Sequence, residues 1–211
     1  MAYFTDFPIA LYDLTNSSNK SLKLVSNLFV RTRFLPSIEN ESTVFYKYQI
    51  SDGDTPEILA SKYYGNSNRH WIILLANNIT DPTYDWPLTY TNFSSYVENK
   101  YGSIAIAKTT YHHYEKVMTK TDSVTGTITV NKYELDYNTY ANLASSSTET
   151  INLKDGNTVQ IVTTKNAVSY YDYEEEQNEA KREIKIINAA YALQIEQELF
   201  SILTNVWFFI Y

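Results

Sequence analysis

Val44, Tyr46, Tyr48 and Ile50 alternate with Phe45, Lys47 and Gln49. This two-residue period predicts a strand with the first set on its drier face. Ser51-Asp52-Gly53-Asp54 is turn chemistry, and beyond it the period lengthens. Thr55-Pro56-Glu57 opens a helix, with Thr55 as N-cap, Pro56 at the first helical position and Glu57 at the positive end of the dipole. Asp54 is an alternative cap. Ile58, Leu59 and Tyr63 supply the buried stripe, and Gly65 is the left-handed stop. Asn68 suits the N-cap of the next helix, where Trp71, Leu74, Leu75 and Asn78 recur at helical spacing. Ile72 and Ile73 add apolar surface on its flank, so this helix is covered on more than one side. Asn77-Asn78 tolerates the left-handed conformation and ends it.

The flanking patterns are more varied. Tyr3, Phe4, Phe7, Ile9, Leu11 and Tyr12 are apolar without a clean period, and Pro8 interrupts any regular element. Such a segment folds back on the core or docks on a partner. Residues 22–35 suit either a short helix or a strand, and Pro36 ends it. Asp81–Leu88 (DPTYDWPL) reads as a rigid bend rather than a helix or strand. Thr91–Lys100 reads as a helix with Phe93, Tyr96, Val97 and Tyr101 on one face and Gly102 as its stop. Ile104–Tyr111 is strand-like. Gly126 and the Asp155-Gly156 turn mark two hairpins, Glu115–Lys120 with Thr127–Tyr133 and Ile151–Leu153 with Thr158–Thr163. Tyr140–Thr150 is loop-like, Val168–Tyr173 strand-like, and Glu174–Glu176 a solvated turn. Arg182–Ile187 alternates like a strand. Ala189–Thr204 is the best long helix, with Tyr191, Ile195, Leu199 and Ile202 as its stripe. The chain ends WFFIY, and Trp207, Phe208 and Phe209 join Tyr3, Phe4 and Phe7 as candidate partner anchors. The expected architecture is α+β in four segments. They are an N-terminal arm (1–43), a core with its following helix (44–102), a hairpin-rich region (103–187), and a terminal helix with an aromatic tail (188–211).

Composition narrows the function. The net charge is -7 and only four basic residues are Arg, which disfavours a phosphate-tracking nucleic-acid surface. There is no Cys, which excludes disulfides, zinc-thiolate sites and cysteine nucleophiles. No signal peptide is recognisable, and no apolar run is long enough to span a membrane. Twenty residues are Tyr, which suits both protein interfaces and half-buried sheet surfaces. Converging catalytic groups are absent from the sequence, and no cofactor or metal is implied. His112 and His113 would point to opposite faces of a strand and share no metal, and His70 reads as a cap or surface residue. Capping explains the carboxylates of Asp52, Asp54 and Glu57.

The ordered series YQISDGDT, EILASKYYG and WIILLANNI resembles the LysM module, a small β-α-α-β fold. Tyr48, Asp52, Gly53, Asp54, Thr55, Pro56, Gly65, Trp71, Asn77 and Asn78 carry that resemblance. DGDTPE, His70-Trp71, NNI and DPTYDWPL, with Asp81, Pro82, Trp86 and Pro87, extend it further. Together with YFTDFP and the helix ending KYG, they resemble baseplate wedge protein 53 of T-even-type contractile-tailed bacteriophages. This similarity runs from Tyr3 to about Tyr101, recurs at His112–Glu115 and Tyr173–Asn188, and is weaker over residues 116–167. It implies a non-enzymatic virion protein assembled in the host cytoplasm. Its expected partners are other wedge proteins, the sheath-initiating wedge protein and copies in neighbouring wedges of a six-fold baseplate, with no nucleic acid or membrane. A peptidoglycan- or N-acetylglucosamine-binding module is the alternative that LysM itself implies.

Overall fold

The computed structural model describes residues 3, 7–13, 21–39, 41, 43–153 and 156–205, the side chains of Ser37, Glu39 and Asn205 aside. In chain order the elements are β1 (Ile9–Asp13), β2 (Leu22–Ser26), α1 (Pro36–Glu39), β3 (Phe45–Gln49), α2 (Pro56–Tyr64), α3 (His70–Ala76), α4 (Pro82–Asp85), α5 (Tyr90–Tyr101), α6 (Ile104–Thr109), β4 (Tyr111–Asp122), β5 (Ile128–Leu135), α7 (Tyr137–Asn142), β6 (Ser146–Asn152), β7 (Thr158–Ser169), α8 (Tyr170–Ala180), β8 (Glu183–Ile187) and α9 (Ala192–Asn205). The fold is α+β, as expected. It divides into two compact units: residues up to 89 with those from 179 onward, and residues 90–178.

In the first unit β1 and β2 form an antiparallel hairpin. β3 pairs antiparallel with β8, with Tyr48 opposite Ile184 and Tyr46 opposite Ile186. The chain therefore leaves this unit after α4 and returns to complete its sheet. Thr55 caps α2 by accepting from the Ile58 amide, and Gly65 ends it at φ 66°. These two residues behave as the sequence predicts. Asp54, the alternative cap, instead accepts from the Ser51 amide at 2.9 Å. The next cap is Asn66 rather than Asn68, and it serves a 3-10 turn at Ser67–Arg69 that precedes α3.

The core of the first unit gathers Leu59, Ala60, Trp71, Ile72, Ile73, Ile184, Ile186, Ile187, Leu199 and Leu203. Three expected stripes are rotated. On α2, Ile58 is 52% exposed while Leu59, Ala60 and Tyr64 face inward. On α3, Ile72 and Ile73 are fully buried and Leu74 and Leu75 are only partly so. This helix packs on several sides, so a single stripe underestimates it. On α9, the inward residues are Ala192, Glu196, Leu199 and Leu203, while Ile202 stays exposed, as does Tyr191 in the 3-10 turn before the helix. A buried glutamate at a stripe position misleads any count of apolar residues.

The second unit is a four-stranded antiparallel sheet, ordered β5-β4-β7-β6, with α5, α6, α7 and α8. Both expected hairpins form, β4 with β5 and β6 with β7. Four expectations change here. Ile104–Thr109 is a helix because Ser103 caps it, accepting from the Ile106 amide; its Ile-Ala-Ile-Ala sequence mimics a strand period. The loop-like 140–150 contains the end of α7, capped by Asp136, and most of β6, an exposed edge strand with no dry face to reveal it. Val168–Tyr173 is strand only to Ser169, which accepts from the Asp172 amide and starts α8. Glu174–Glu176 is therefore helical rather than a solvated turn, and Glu174 is buried. In the first unit, residues 22–35 are a strand only over Leu22–Ser26, with no helix. DPTYDWPL contains a one-turn helix, Pro82–Asp85, capped by Asp81.

Core burial makes a direct prediction. Ile72→Ala should lower the unfolding free energy in urea by about 3 kcal/mol. Ile58→Ala should stay within about 0.5 kcal/mol of the parent. Equal effects would mean that α2 and α3 do not present these faces.

Candidate functional site

Most of the resemblance residues lie at the turn after β3 and near the end of α3, whereas Gly65 ends α2 and Trp71 stands at the start of α3. The Tyr48 hydroxyl donates to Asp54 Oδ2 at 2.8 Å. Burial, with this bond to a carboxylate, raises the Tyr48 pKa. Gly53 occupies φ 89°, a left-handed position that an L side chain rarely adopts. Trp86 lies buried across this turn and donates its indole N–H to the Asp54 carbonyl at 3.0 Å. Pro87 beside it is buried as well, whereas Asp81 and Pro82 lie on the surface. Asp52 is exposed, 3.9 Å from the Arg182 guanidinium. Pro56 is buried at the start of α2.

At the other end Asn77 acts as a short extra strand. Its amide nitrogen donates to the Lys185 carbonyl at 2.8 Å, and its oxygen accepts from the Lys185 N–H at 2.7 Å. The same nitrogen donates to Ile73 O at 2.8 Å. One side chain thus satisfies both backbone groups of Lys185 and a terminal carbonyl of α3. Of the pair Asn77-Asn78, it is Asn78 that takes the left-handed conformation, at φ 54°. A cleft of about 340 Å³ lies here, lined by Asn77, Asn78, Ile79, Asp85, Lys181 and Glu183.

Sequence reading missed the ion pair that docks α9. Arg69 donates from Nε to Glu196 Oε1 at 3.0 Å and from Nη2 to Oε2 at 2.9 Å. Its Nη1 donates to Tyr64 O at 3.1 Å. Glu196 is only 7% exposed, and the hydrogen bonds from Arg69 hold its carboxyl below the ordinary range. No sequence motif joins residues 127 positions apart. The available signal was a glutamate standing on an apolar stripe, which calls for a buried cation.

A model of the base plate wedge protein 53 family matches residues 15–196, most of the chain. The chain belongs to the base plate wedge protein 53 family. It is accordingly a virion component of a bacteriophage tail baseplate, with a structural role among other baseplate proteins. The match takes in the middle region, where the sequence resemblance is weak, and leaves out the YFTDFP opening and the aromatic end. No curated protein sequence gives a significant match.

The remaining candidates in this wedge-family chain are scattered. Tyr3 packs against Trp71 and Phe7, with ring centroids 5.3 and 5.0 Å apart, and Phe7 is buried. Phe4, Trp207, Phe208 and Phe209 lie outside the described residues. His70 Nδ1 is 3.0 Å from Ser67 O at the start of α3. His112 and His113 are not on opposite faces. A register shift at the start of β4 brings their Nδ1 atoms to 2.8 Å, so one ring donates to the other, while His112 stacks on Tyr173. No group of three or more metal-ligating side chains occurs among the described residues. The polar hub of the second unit is Glu174, which accepts from Tyr96, Lys100 and Tyr101 at 3.1, 2.7 and 2.7 Å. Burial pushes the Glu174 carboxyl up, but these donors outweigh it and hold the pKa below the ordinary range. The Tyr101 hydroxyl is pushed up to about 12 by burial and by Glu174.

Two predictions follow from this geometry. Asn77→Ala removes both side-chain bonds to Lys185 and the one to Ile73 O, and should lower the unfolding free energy by about 1 kcal/mol. An unchanged urea midpoint would contradict the extra-strand role. Glu174 and Glu196 have depressed folded pKa values. Their stabilisation is therefore complete above the ordinary carboxylate range and is lost as pH falls through the folded values. Thermal scans should show the melting temperature falling on acidification, with a shallower fall in Glu196→Gln. An identical pH profile in that variant would remove Glu196 as a contributor.

Proposed function

We propose that this chain is a rigid joint in the baseplate wedge, linking adjacent wedges through protein-protein contacts. In this reading β3, α2, α3 and β8 form a LysM-like unit used as a scaffold, with residues 90–178 inserted before its closing strand. Supporting it, Trp86 covers the turn after β3 and Asn77 locks the end of α3 to β8, so the chain's own groups fill the signature positions. The observation that carries the joining role is the N-terminal segment, where Leu11 is 63%, Leu24 71% and Phe29 93% exposed. Apolar side chains so exposed on a member of an assembly family mark contact surface. Trp207, Phe208 and Phe209 remain proposed anchors at the other end. The proposed partners are other wedge proteins, the sheath-initiating wedge protein and copies in neighbouring wedges of a six-fold baseplate, meeting in the host cytoplasm.

A glycan-binding reading is favoured by one observation, the cleft beside Asn77 and Asn78, which sets Asp85, Lys181 and Glu183 against Ile79 and Ile184. Two measurements separate the readings. Replacing Trp207, Phe208 and Phe209 by Ala should leave a folded chain that fails to join wedges in an in vitro assembly reaction; normal joining would dismiss the tail as an anchor. Titration with N-acetylglucosamine oligomers should give no saturable signal. Saturable binding that shifts Asn77 and Asn78 resonances would favour the carbohydrate module instead.

A further inference from the structure

Residues 29–35 carry a pattern that the scaffold does not use. Val30 and Phe34 pack against the core, and the Thr32 hydroxyl is 3.4 Å from that of Tyr3. The alternate residues Phe29, Arg31, Arg33 and Leu35 are exposed. This is the two-residue period of a strand, yet among the described residues no strand pairs with it. Among the described residues, no backbone N–H or carbonyl of Val30–Phe34 is hydrogen-bonded within the chain. An extended segment pinned by one face, with its backbone groups open, is a template for an added strand.

The surroundings specify what that strand must be. Thr32–Leu35 form part of the lining of a groove of about 480 Å³, together with Tyr191 just before α9 and Ile195, Glu198 and Ile202 on it. Most of the lining is apolar, so alternate apolar side chains fit it. Arg31 and Arg33 are two of the four arginines in a chain of net charge -7, and no acidic residue lies between Leu22 and Pro36. Their guanidinium forks stand two residues apart on the outward face, the spacing of successive same-face residues on a neighbouring strand.

We propose that residues 29–35 dock an extended acidic segment of another baseplate protein by strand addition. Its alternate apolar side chains enter the groove, and its carboxylates meet Arg31 and Arg33. This rests on the structural role above and names one of its contact surfaces.

The test uses the full chain and a labelled peptide of about ten residues alternating Val and Glu, a length that spans one strand, with a Val-Lys peptide as control. Fluorescence anisotropy should show saturable, salt-sensitive binding of the Val-Glu peptide and none of the control. Arg31→Glu with Arg33→Glu should weaken binding about tenfold or more, with the far-UV circular dichroism unchanged. Absence of Val-Glu binding, equal binding of Val-Lys, or indifference to the charge reversal overturns the proposal. So does tighter peptide binding after Trp207→Ala, Phe208→Ala and Phe209→Ala, which makes the chain's own tail the occupant. Loss of a dimer in sedimentation velocity on charge reversal makes a second copy the occupant and overturns it as well. In a phage complementation assay the charge-reversed chain should be missing from assembled baseplates. Its normal incorporation defeats the docking strand but leaves the structural role standing, whereas absence of the parent chain from particles defeats the structural role itself.

Discussion

The pairing of β3 with β8 is the constraint on which the first unit depends. β3, α2 and α3 are contiguous, but Ile184, Ile186 and Ile187, the apolar residues that close their core, arrive only after residues 90–178. Closing a long loop adds entropic cost slowly with its length, so an insertion is tolerated where its ends are fixed. Both ends are fixed here. Lys181 Nζ donates to Tyr84 O at 2.6 Å, and Arg182 Nη2 to Leu88 O at 3.4 Å. The departing and returning segments are thus stapled within the first unit, next to the Trp86 latch. Asn77 then locks Lys185 from the open side of β8. Removing the insertion's content would leave these staples untouched, whereas removing β8 would open the core.

The second unit is organised differently. Its buried apolar side chains are few, with Phe93 against Tyr171 at a centroid separation of 5.6 Å as a central contact. Sheet ladders and buried carboxylates supply much of the rest. Glu174 gathers three donors, and Glu115, also buried, accepts from Asn166 at 3.0 Å. Such satisfied polar networks favour one arrangement over its neighbours, since each member left alone inside the protein is costly. For a structural component this is consistent with a requirement for fixed shape.

Local chemistry was legible in the sequence and long-range chemistry was not. The Thr55 cap, the Gly65 stop, both hairpins and the strand at Arg182–Ile187 all follow from residues within a few positions of one another. The partner of that last strand did not, because alternation marks a strand without naming its neighbour. Ile104–Thr109 misled because Ile-Ala-Ile-Ala has a strand period, while the deciding residue, Ser103, lies outside the pattern. β6 was invisible because an edge strand exposed on both faces shows no apolar alternation. The candidate site divides in the same way. Asp54, Trp86 and Asn77 are present in the motif, but their bonds to one another's segments and to Lys185 required the fold. Arg69 with Glu196 was hidden because a part-buried ion pair looks, in sequence, like two surface charges.

β8 belongs to one cooperative body with β3, α2 and α3 across the insertion. Native-state hydrogen exchange of the intact chain tests it most directly. The Ile184 and Ile186 amides should exchange with the same free energy and denaturant dependence as the Leu59 and Ile72 amides, through a single global opening. Fast, independent exchange of the Ile184 and Ile186 amides while Leu59 and Ile72 stay protected would contradict the account.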